Sequence, residues 1–127
     1  MKTKDFSGIK NGGQLPSPQE IQPPKDIDDL LGDFIDSTNS QLEELEQAAL
    51  EYESGTNREE NAAVIRRILH KIKGEVGIVG IDDIALLSHS TEDAFEQLPD
   101  DCRGDMVLRF GDWVSAAIDK LQTQSFK

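Results

Sequence analysis

The sequence predicts an all-α protein, an antiparallel up-down-up-down four-helix bundle that follows a disordered N-terminal tail. From residue 26 onward, apolar residues recur every three or four positions, which is the spacing of one helix face. No segment of this region shows the two-residue alternation of apolar and polar side chains that is typical of a β-strand. Short turns separate four helical segments, and short turns make neighbouring helices antiparallel. We therefore assign residues 1–25 to the tail and residues 26–127 to the bundle.

The N-terminal segment has the composition of a flexible chain. Residues 1–25 contain four of the five prolines and three of the ten glycines, with few apolar side chains. Such a segment buries too little apolar surface to offset the conformational entropy that ordering would cost. We expect it to be a flexible tail.

The first predicted helix spans residues 26–53. Asp26 or Asp28 is the expected N-cap, because each is an aspartate that follows a proline pair, and Gly55 is the expected terminator. One face of this helix carries the residues expected in the core: Leu31, Ile35, Thr38, Leu42, Leu45, Ala49 and Tyr52.

The second predicted helix begins near Asn57 and ends near Gly80. Asn57 followed three residues later by Glu60 fits a capping box, in which each residue bonds the backbone N–H of the other. The apolar face consists of Ile65, Ile68, Leu69, Ile72, Val76 and Val79.

The third predicted helix begins at Asp82 or Asp83 after a short turn, and Pro99 lies beyond its end because proline cannot continue a helix. Its expected core face is Ile84, Leu87, Thr91, Ala94, Phe95 and Leu98.

The fourth predicted helix is capped by Asp100 or Asp105 and runs to about Thr123. Gly104 leaves the position of its start open. The residues expected in the core are Met106, Phe110, Trp113 or Val114, Ala117 and Leu121.

Charge and cysteine content exclude several classes of protein. The formal net charge is −12 and the sequence pI is about 4.4, so phosphate backbones and anionic lipids would repel the chain. The single cysteine, Cys102, cannot form an intramolecular disulfide, and no Cys/His group has zinc-ligand spacing. The sequence has no apolar leader and no membrane-spanning run. We expect a cytoplasmic protein with no metal site and with neither nucleic-acid nor membrane partners.

A histidine on the second predicted helix lies away from the core face. With about 100° of turn per residue, His70 lies roughly 140° from Ile65 and roughly 160° from Ile72. His70 should therefore face solvent. A solvent-facing histidine is by itself typical of an ordinary helix surface, so its neighbours decide how it is interpreted.

Those neighbours are residues that suit phosphoryl chemistry. Gly74 and Gly77 follow on the same side, although a glycine inside a helix costs about 1 kcal/mol relative to alanine. Their missing side chains would let another protein approach the helix backbone beside the imidazole. Lys73, one turn along, would neutralise part of the roughly −2 charge of a phosphoryl group. His70 is thus interpreted as a reactive group that is presented to a macromolecule.

A local excess of positive charge surrounds this histidine. Five of the thirteen basic residues fall between positions 58 and 73: Arg58, Arg66, Arg67, Lys71 and Lys73. An acidic pocket on a partner would be attracted to this part of an otherwise acidic protein. We expect Arg66, Arg67 and Lys71, together with the two glycines, to contact the partner.

The third predicted helix supplies a second set of polar residues. Antiparallel helices that turn near Gly80 place residues equally far from the turn at one height, so His89 should lie level with His70. His89 and Glu92 are three residues apart and share a helix face. A carboxylate that accepts a hydrogen bond from one ring nitrogen leaves the other nitrogen free as a nucleophile. We expect Glu92 to orient His70, with His70 as the attacking group.

These residues resemble a known motif. The run from His70 to Gly80 reads HKIKGEVGIVG and resembles the HxxKG segment of histidine phosphotransfer (HPt) domains. It is most similar to the phosphotransfer domain of CheA-type chemotaxis kinases, in which a following helix carries an HxxE-like pair, here His89 and Glu92. The resemblance covers about residues 26–123.

The resemblance implies a four-helix bundle that carries a phosphoryl group and is not itself an enzyme. His70 would be the phosphoacceptor, Lys73 the neutralising residue, and Gly74 the residue of close approach. His89 and Glu92 would form the supporting hydrogen-bond network. The implied partners are a histidine kinase and a response-regulator receiver domain, which supplies Mg²⁺ and most of the catalytic groups. The domain itself would need no cofactor and would be a monomer.

Several functions remain open at this stage. The leading hypothesis is a phosphorelay protein that exchanges a phosphoryl group between His70 and a receiver aspartate. A second is an excised phosphotransfer domain of a CheA-type kinase, because the chain ends at Lys127 without kinase domains. A third is a helical adaptor that docks partners without phosphorylation. A metal-binding bundle is disfavoured, since the inward-facing carboxylates and Glu-x-x-His pairs of such sites are missing.

Overall fold

The computed structural model describes residues 5–21 and 29–125. Five α-helices occur in this part of the chain: a single-turn α1 (Gly8–Asn11), then α2 (Asp29–Glu53), α3 (Arg58–Val79), α4 (Asp82–Gln97) and α5 (Asp100–Ser125). A short 3₁₀ turn at Pro18–Glu20 follows α1. The four long helices form the predicted all-α bundle, and no strand occurs among the described residues. The helix caps predicted at Asp26 or Asp28 lie outside them.

The four long helices pack in a ring. Each packs on its chain neighbour, α2 on α3, α3 on α4 and α4 on α5, and α5 closes the ring against α2. The α3–α4 pair therefore lies on the side of the bundle opposite the α2–α5 pair. None of the helices described has the length and apolar character needed to cross a membrane.

The core is built from the predicted helix faces. All of the predicted residues with described side chains are buried or pack against the core, and both Trp113 and Val114 are buried. Leu42, Val79 and Leu98 are the members that are only partly buried. The side chain of Leu31 lies outside what the structure describes. Because these apolar faces are buried, the opposite face of each helix is the one available to polar residues.

Two of the turns use glycine in the left-handed conformation. Gly55, with φ of 84°, lies in the turn after α2, and Gly80, with φ of 89°, caps α3. The Gly80 N–H bonds the Val76 carbonyl oxygen at 2.8 Å, which closes the last turn of α3. The predicted capping box is wrong, because Asn57 itself is left-handed (φ 44°) and its side chain caps no backbone N–H. The turn geometry overrode a sequence signal that presumes an extended N-cap.

The structure shows where α5 begins, which the sequence left open. The helix begins at Asp100, so Asp100 and Asp101 lie in its first turn and Asp105 is interior, not a cap. Gly104 is buried inside the helix, where a Cβ atom would collide with the side chain of Glu53 on α2. This glycine therefore allows close helix packing and does not interrupt the helix.

The prediction of a flexible tail is wrong for residues 5–21. Phe6, Ile9 and Ile21 are each no more than 3% exposed and belong to the core of the bundle. These three apolar side chains lie far apart in a proline-rich and glycine-rich sequence, so composition averaged over 1–25 concealed them. Residues 1–4 and 22–25 lie outside the described residues.

Specific polar contacts fix this segment to α5, and α1 also packs on α4. Arg109 donates hydrogen bonds to the carbonyl oxygens of Gly8 and Gly13, at 3.2 and 2.6 Å. The Trp113 indole N–H donates to the Pro16 carbonyl oxygen at 2.7 Å, and the Trp113 ring meets Phe6 edge to face. The segment thus covers the α4–α5 side of the bundle and leaves the α3–α4 polar face open.

Candidate functional site

Burial of the α3 core face positions His70 in solvent. Leu69 and Ile72, on either side of it in sequence, are fully buried, while the His70 side chain is 77% exposed. The helix geometry therefore presents the imidazole outward from a rigid element. This is the arrangement that a group reacting with a macromolecule requires.

The register of α3 against α4 brings an acidic residue to His70. Residues equally far from Ile81 face one another across the two helices, so Arg66 meets Glu96 and His70 meets Glu92. The Nδ1 atom of His70 lies 3.5 Å from Glu92 Oε2, which is ion-pair range and longer than a normal hydrogen bond. The Nε2 atom is the ring nitrogen left for another molecule.

Lys73 contacts the same carboxylate. Its Nζ atom lies 2.6 Å from Glu92 Oε1, so Glu92 bridges His70 and Lys73 through its two oxygens. Lys73 is about one-third exposed and Glu92 about one-quarter. The ammonium group is therefore held one helical turn from the imidazole, with enough exposure to reach a bound anion.

The surface beyond His70 along α3 includes two glycines, which carry no side chains. Gly74 and Gly77 are exposed, and a Cβ atom at either position would meet no heavy atom within 4 Å. Ile78, beside them, is 76% exposed, which is unusual for a large apolar residue. Ile78 was not among the predicted site residues, although it directly follows Gly77, which shares the helix face of His70.

The structure does not bring His89 into this group. His89 is two-thirds exposed, and its Nε2 atom lies 3.5 Å from Asp93 Oδ2 on the same helix. The register centred on Ile81 pairs His70 with Glu92, so His89 lies nearly one turn away. Counting residues from Gly80 gave nearly the right height of His89 along the helix pair, but it did not determine the direction of the His89 side chain. Among the described residues, no three His, Cys, Asp or Glu side chains are grouped as metal ligands would be.

Two of the residues expected to contact a partner form ion pairs within the bundle. Arg66 bonds Glu96 through Nε and Nη2, at 2.6 and 3.1 Å, and lies over the Phe95 ring. Arg67 bonds Glu44 on α2 at 2.8 Å. Lys71 is exposed. The positive charge predicted around His70 is thus partly neutralised by α2 and α4, a pairing that only the folded helices reveal.

The Arg66–Glu96 pair leads to a pH prediction. Hydrogen bonds from Arg66 hold the pKa of the Glu96 carboxyl below its usual value. The pair therefore stabilises the fold above the usual glutamate pKa, and this contribution is lost as the pH falls through the lowered value. Both side chains are about half exposed, so the effect on unfolding free energy should stay below about 1 kcal/mol. Carboxyl ¹³C NMR titration should show a lowered Glu96 pKa that returns toward normal in Arg66→Gln; an unchanged value would contradict the pairing.

Next to Gly74, a polar network joins α3 to α2. The Glu75 carboxylate accepts hydrogen bonds from Gln41 Nε2 at 2.8 Å and from Ser37 Oγ at 3.2 Å. Gln41 also bonds Ser37, so the three side chains form a closed group at the helix interface. The network fixes α3 against α2 beside the glycines. It could not be predicted from the sequence because Glu75 lies 34 and 38 positions from its two partners.

A comparison with protein families identifies the chain. The family model described as Hpt domain matches residues 29–124, which covers the four long helices except Ser125, the last residue of α5. The chain belongs to the Hpt domain family. It is thus a phosphotransfer domain of the kind used in two-component signalling, as the run from His70 indicated.

A curated relative of this Hpt domain is the chemotaxis protein CheA of Halobacterium salinarum. The two are 29% identical over 102 residues, covering 76% of this chain but only 15% of the relative. The chain therefore spans a small part of the length of the relative that it matches. No solved structure gave a significant match.

Proposed function

We propose that this Hpt domain carries a phosphoryl group on His70 and exchanges it with an aspartate of a response-regulator receiver domain. The observation that carries this proposal is the exposed His70 imidazole, whose Nδ1 atom faces Glu92 while Nε2 points away from that contact. Glu92 also holds Lys73 beside the imidazole. No other histidine of the chain has such a setting, since His89 pairs with Asp93.

The proposed step is a direct displacement at phosphorus. Glu92 keeps the imidazole proton on Nδ1, so the lone pair of Nε2 attacks the phosphorus of an aspartyl phosphate. The new N–P bond forms as the bond between phosphorus and the aspartyl oxygen breaks, and the aspartate leaves as a carboxylate. The imidazole then carries a positive charge, which the Glu92 carboxylate stabilises. In the reverse direction the aspartate carboxylate attacks the same phosphorus.

Lys73 has a separate role in this proposal. Its ammonium group would move partly away from Glu92 and pair with oxygens of the transferring phosphoryl group. The Lys73 stem is flexible, so the charge can follow the phosphorus along the transfer path. Any Mg²⁺ would come with the receiver, and the Hpt domain itself supplies His70, Lys73 and Glu92.

Docking of the receiver would use the open surface along α3. Gly74 and Gly77 leave the helix backbone accessible, and Ile78 offers an exposed apolar contact next to them. Lys71 is an exposed cation that can face the acidic pocket of a receiver. Arg66 and Arg67 would contribute less than the sequence suggested, because each already has an acidic partner within the bundle.

The source of the phosphoryl group separates two forms of this proposal. A free-standing cytoplasmic phosphorelay protein would receive it from a receiver domain or a separate kinase. A phosphotransfer domain of a CheA-type kinase would receive it from an attached ATP-binding domain, a form that the similarity to CheA favours. Kinase domains encoded in frame with this chain would decide between them. A helical adaptor would be phosphorylated by neither route.

The test uses the fact that the chain has two histidines. The purified protein is mixed with ³²P-labelled receiver domains that have been charged with acetyl phosphate, and with autophosphorylated CheA-type kinase. Wild type and His89→Gln should both acquire phosphate that is stable in alkali and labile in acid. His70→Gln should acquire none, although its far-ultraviolet circular dichroism should match that of wild type.

Two results would overturn the proposal. Label that persists in His70→Gln and disappears in His89→Gln would place the phosphate on the other histidine. Absence of label from every donor would support the adaptor hypothesis, in which the polar face of α3 only docks partners.

A further inference from the structure

A second surface lies on the side of the bundle opposite His70. Between α2 and α5 there is a groove of about 430 Å³, whose floor includes the half-buried Leu42 and Leu108 and the buried Leu45 and Val107. Gly111 forms part of its wall, and a Cβ atom there would meet nothing within 4 Å. The missing side chain at Gly111 opens a hole in the α5 surface next to these apolar residues.

The rim of this groove is acidic. Glu43 and Glu46 on α2 and Asp112 on α5 line it, and all three are exposed. None of them forms an ion pair among the described residues, in contrast to Glu44, Glu92 and Glu96, which hold the cations of α3. The groove therefore combines apolar side chains with uncompensated negative charge on both of its helices.

The charge pattern restricts what can occupy this surface. A second copy of the chain docked by the same face would place like charges against one another, which is unfavourable. The N-terminal segment, residues 5–21, already packs on α4 and α5 through its own buried residues. An occupant that suits the groove has apolar side chains for Leu42 and the Gly111 hole and basic side chains for the carboxylates.

We propose that the α2–α5 groove docks a cationic amphipathic helix of a partner protein. A groove between two helices accepts the apolar face of a third helix by ordinary ridge-into-groove packing. One large apolar side chain would enter the hole above Gly111, and Lys or Arg side chains flanking it would pair with Glu43, Glu46 and Asp112. Because His70 lies on the α3–α4 side, such a helix and a receiver domain can bind at the same time.

The experiment measures binding of a synthetic helix by NMR. The ¹⁵N-labelled full chain is titrated with a peptide of about 18 residues, five helical turns, with Leu and Lys placed to form one apolar and one basic face. A peptide of the same composition in scrambled order and a version with Glu in place of Lys are the peptide controls. Amide shift changes should be largest at Leu42, Val107 and Gly111, and both control peptides should bind at least about tenfold more weakly.

Two groove variants test the proposed contacts. Gly111→Leu places a Cβ atom where nothing lies within 4 Å and improves helix propensity, so the protein should be at least as thermally stable as wild type. Its affinity for the peptide should fall about tenfold, because the apolar anchor loses its pocket. The double variant Glu43→Lys/Glu46→Lys should bind about tenfold more weakly, whereas the matched charge change Glu59→Lys/Glu60→Lys at the start of α3 should stay within about twofold of wild type.

The outcomes are distinct from those of the phosphotransfer test. His70→Gln should bind the peptide as wild type does. A negative result in the phosphorylation test would therefore leave the proposed peptide binding untouched. The proposal is overturned if the peptide does not bind, if the shift changes spread over the whole acidic surface, or if both groove variants bind as wild type. Self-association of the chain through Leu42 and Gly111, detected by sedimentation, would also overturn it in favour of a second copy.

Discussion

The Lys73→Ala variant is expected to accept a phosphoryl group from a charged receiver about a hundredfold more slowly than wild type, the usual cost of removing one charged group aimed at a transition state. The Lys73 ammonium lies 2.6 Å from Glu92 and one helical turn from His70. Because the Glu92 carboxylate also faces His70 Nδ1, this contact holds the Lys73 ammonium beside the imidazole that would carry the phosphorus. The rate of label transfer, measured by rapid quench at saturating receiver, isolates the chemical step from docking.

Lys71→Ala is the matched control for this prediction. It removes the same charge two residues away, from an exposed side chain on another face of α3, and should weaken docking with little effect on the saturated rate. Lys73→Arg, which keeps the charge, should recover part of the lost rate. Equal rates for Lys73→Ala and Lys71→Ala at saturation would show that the charge acts in docking and not in transfer.

The Phe6→Ala variant is expected to lose about 3 kcal/mol of unfolding free energy, at the lower end of the cost of emptying a buried phenylalanine site. Phe6 is 3% exposed and meets the Trp113 ring edge to face at a centroid distance of 5.3 Å. A loss of this size should lower Tm by about 10 °C for a domain of this length. A flexible tail would lose nothing, so the variant distinguishes the packed segment from the composition-based expectation.

Trp113 provides the measurement, since it is the single tryptophan of the chain and contacts both Phe6 and Pro16. Urea unfolding followed by its fluorescence should give the lowered stability of Phe6→Ala. Gln19→Ala, an exposed substitution in the same segment, should stay within about 0.5 kcal/mol of wild type. If Phe6→Ala and Gln19→Ala unfold alike, the docking of residues 5–21 on the bundle is refuted.

The helices and the exposed face of α3 could be predicted because both depend on local periodicity. Ile65, Leu69 and Ile72 recur at the helical period and bury one side, so His70 had to lie on the other. The expected contact between His70 and Glu92 is present, although the register of the two helices is centred on Ile81 and not on the turn glycine Gly80. Local sequence patterns were therefore sufficient to predict the helices and the antiparallel pairing of α3 with α4.

Other features could not be predicted because they depend on the direction of single side chains. His89 was placed near His70 in height, but it precedes Glu92 by three residues, so its side chain leaves α4 about 60° away from that of Glu92 and lies near Asp93 on the same helix. The partners of Arg66 and Arg67 lie on two different helices, so no spacing in the sequence shows that their charges are neutralised. The same holds for Glu75, which bonds Ser37 and Gln41 across the α2–α3 interface.

The sequence by itself determined the four-helix class, the core faces, and the exposed His70 with Lys73 and its two glycines, because helical period and glycine placement are local properties. The tertiary structure alone decided that residues 5–21 fold onto α4 and α5, since three isolated apolar residues acquire a role only when a bundle surface receives them. It also decided which cations remain available around His70, because helix packing pairs Arg66 and Arg67 with residues 30 and 23 positions away. In the same way it formed the acidic groove between α2 and α5 from residues more than sixty positions apart.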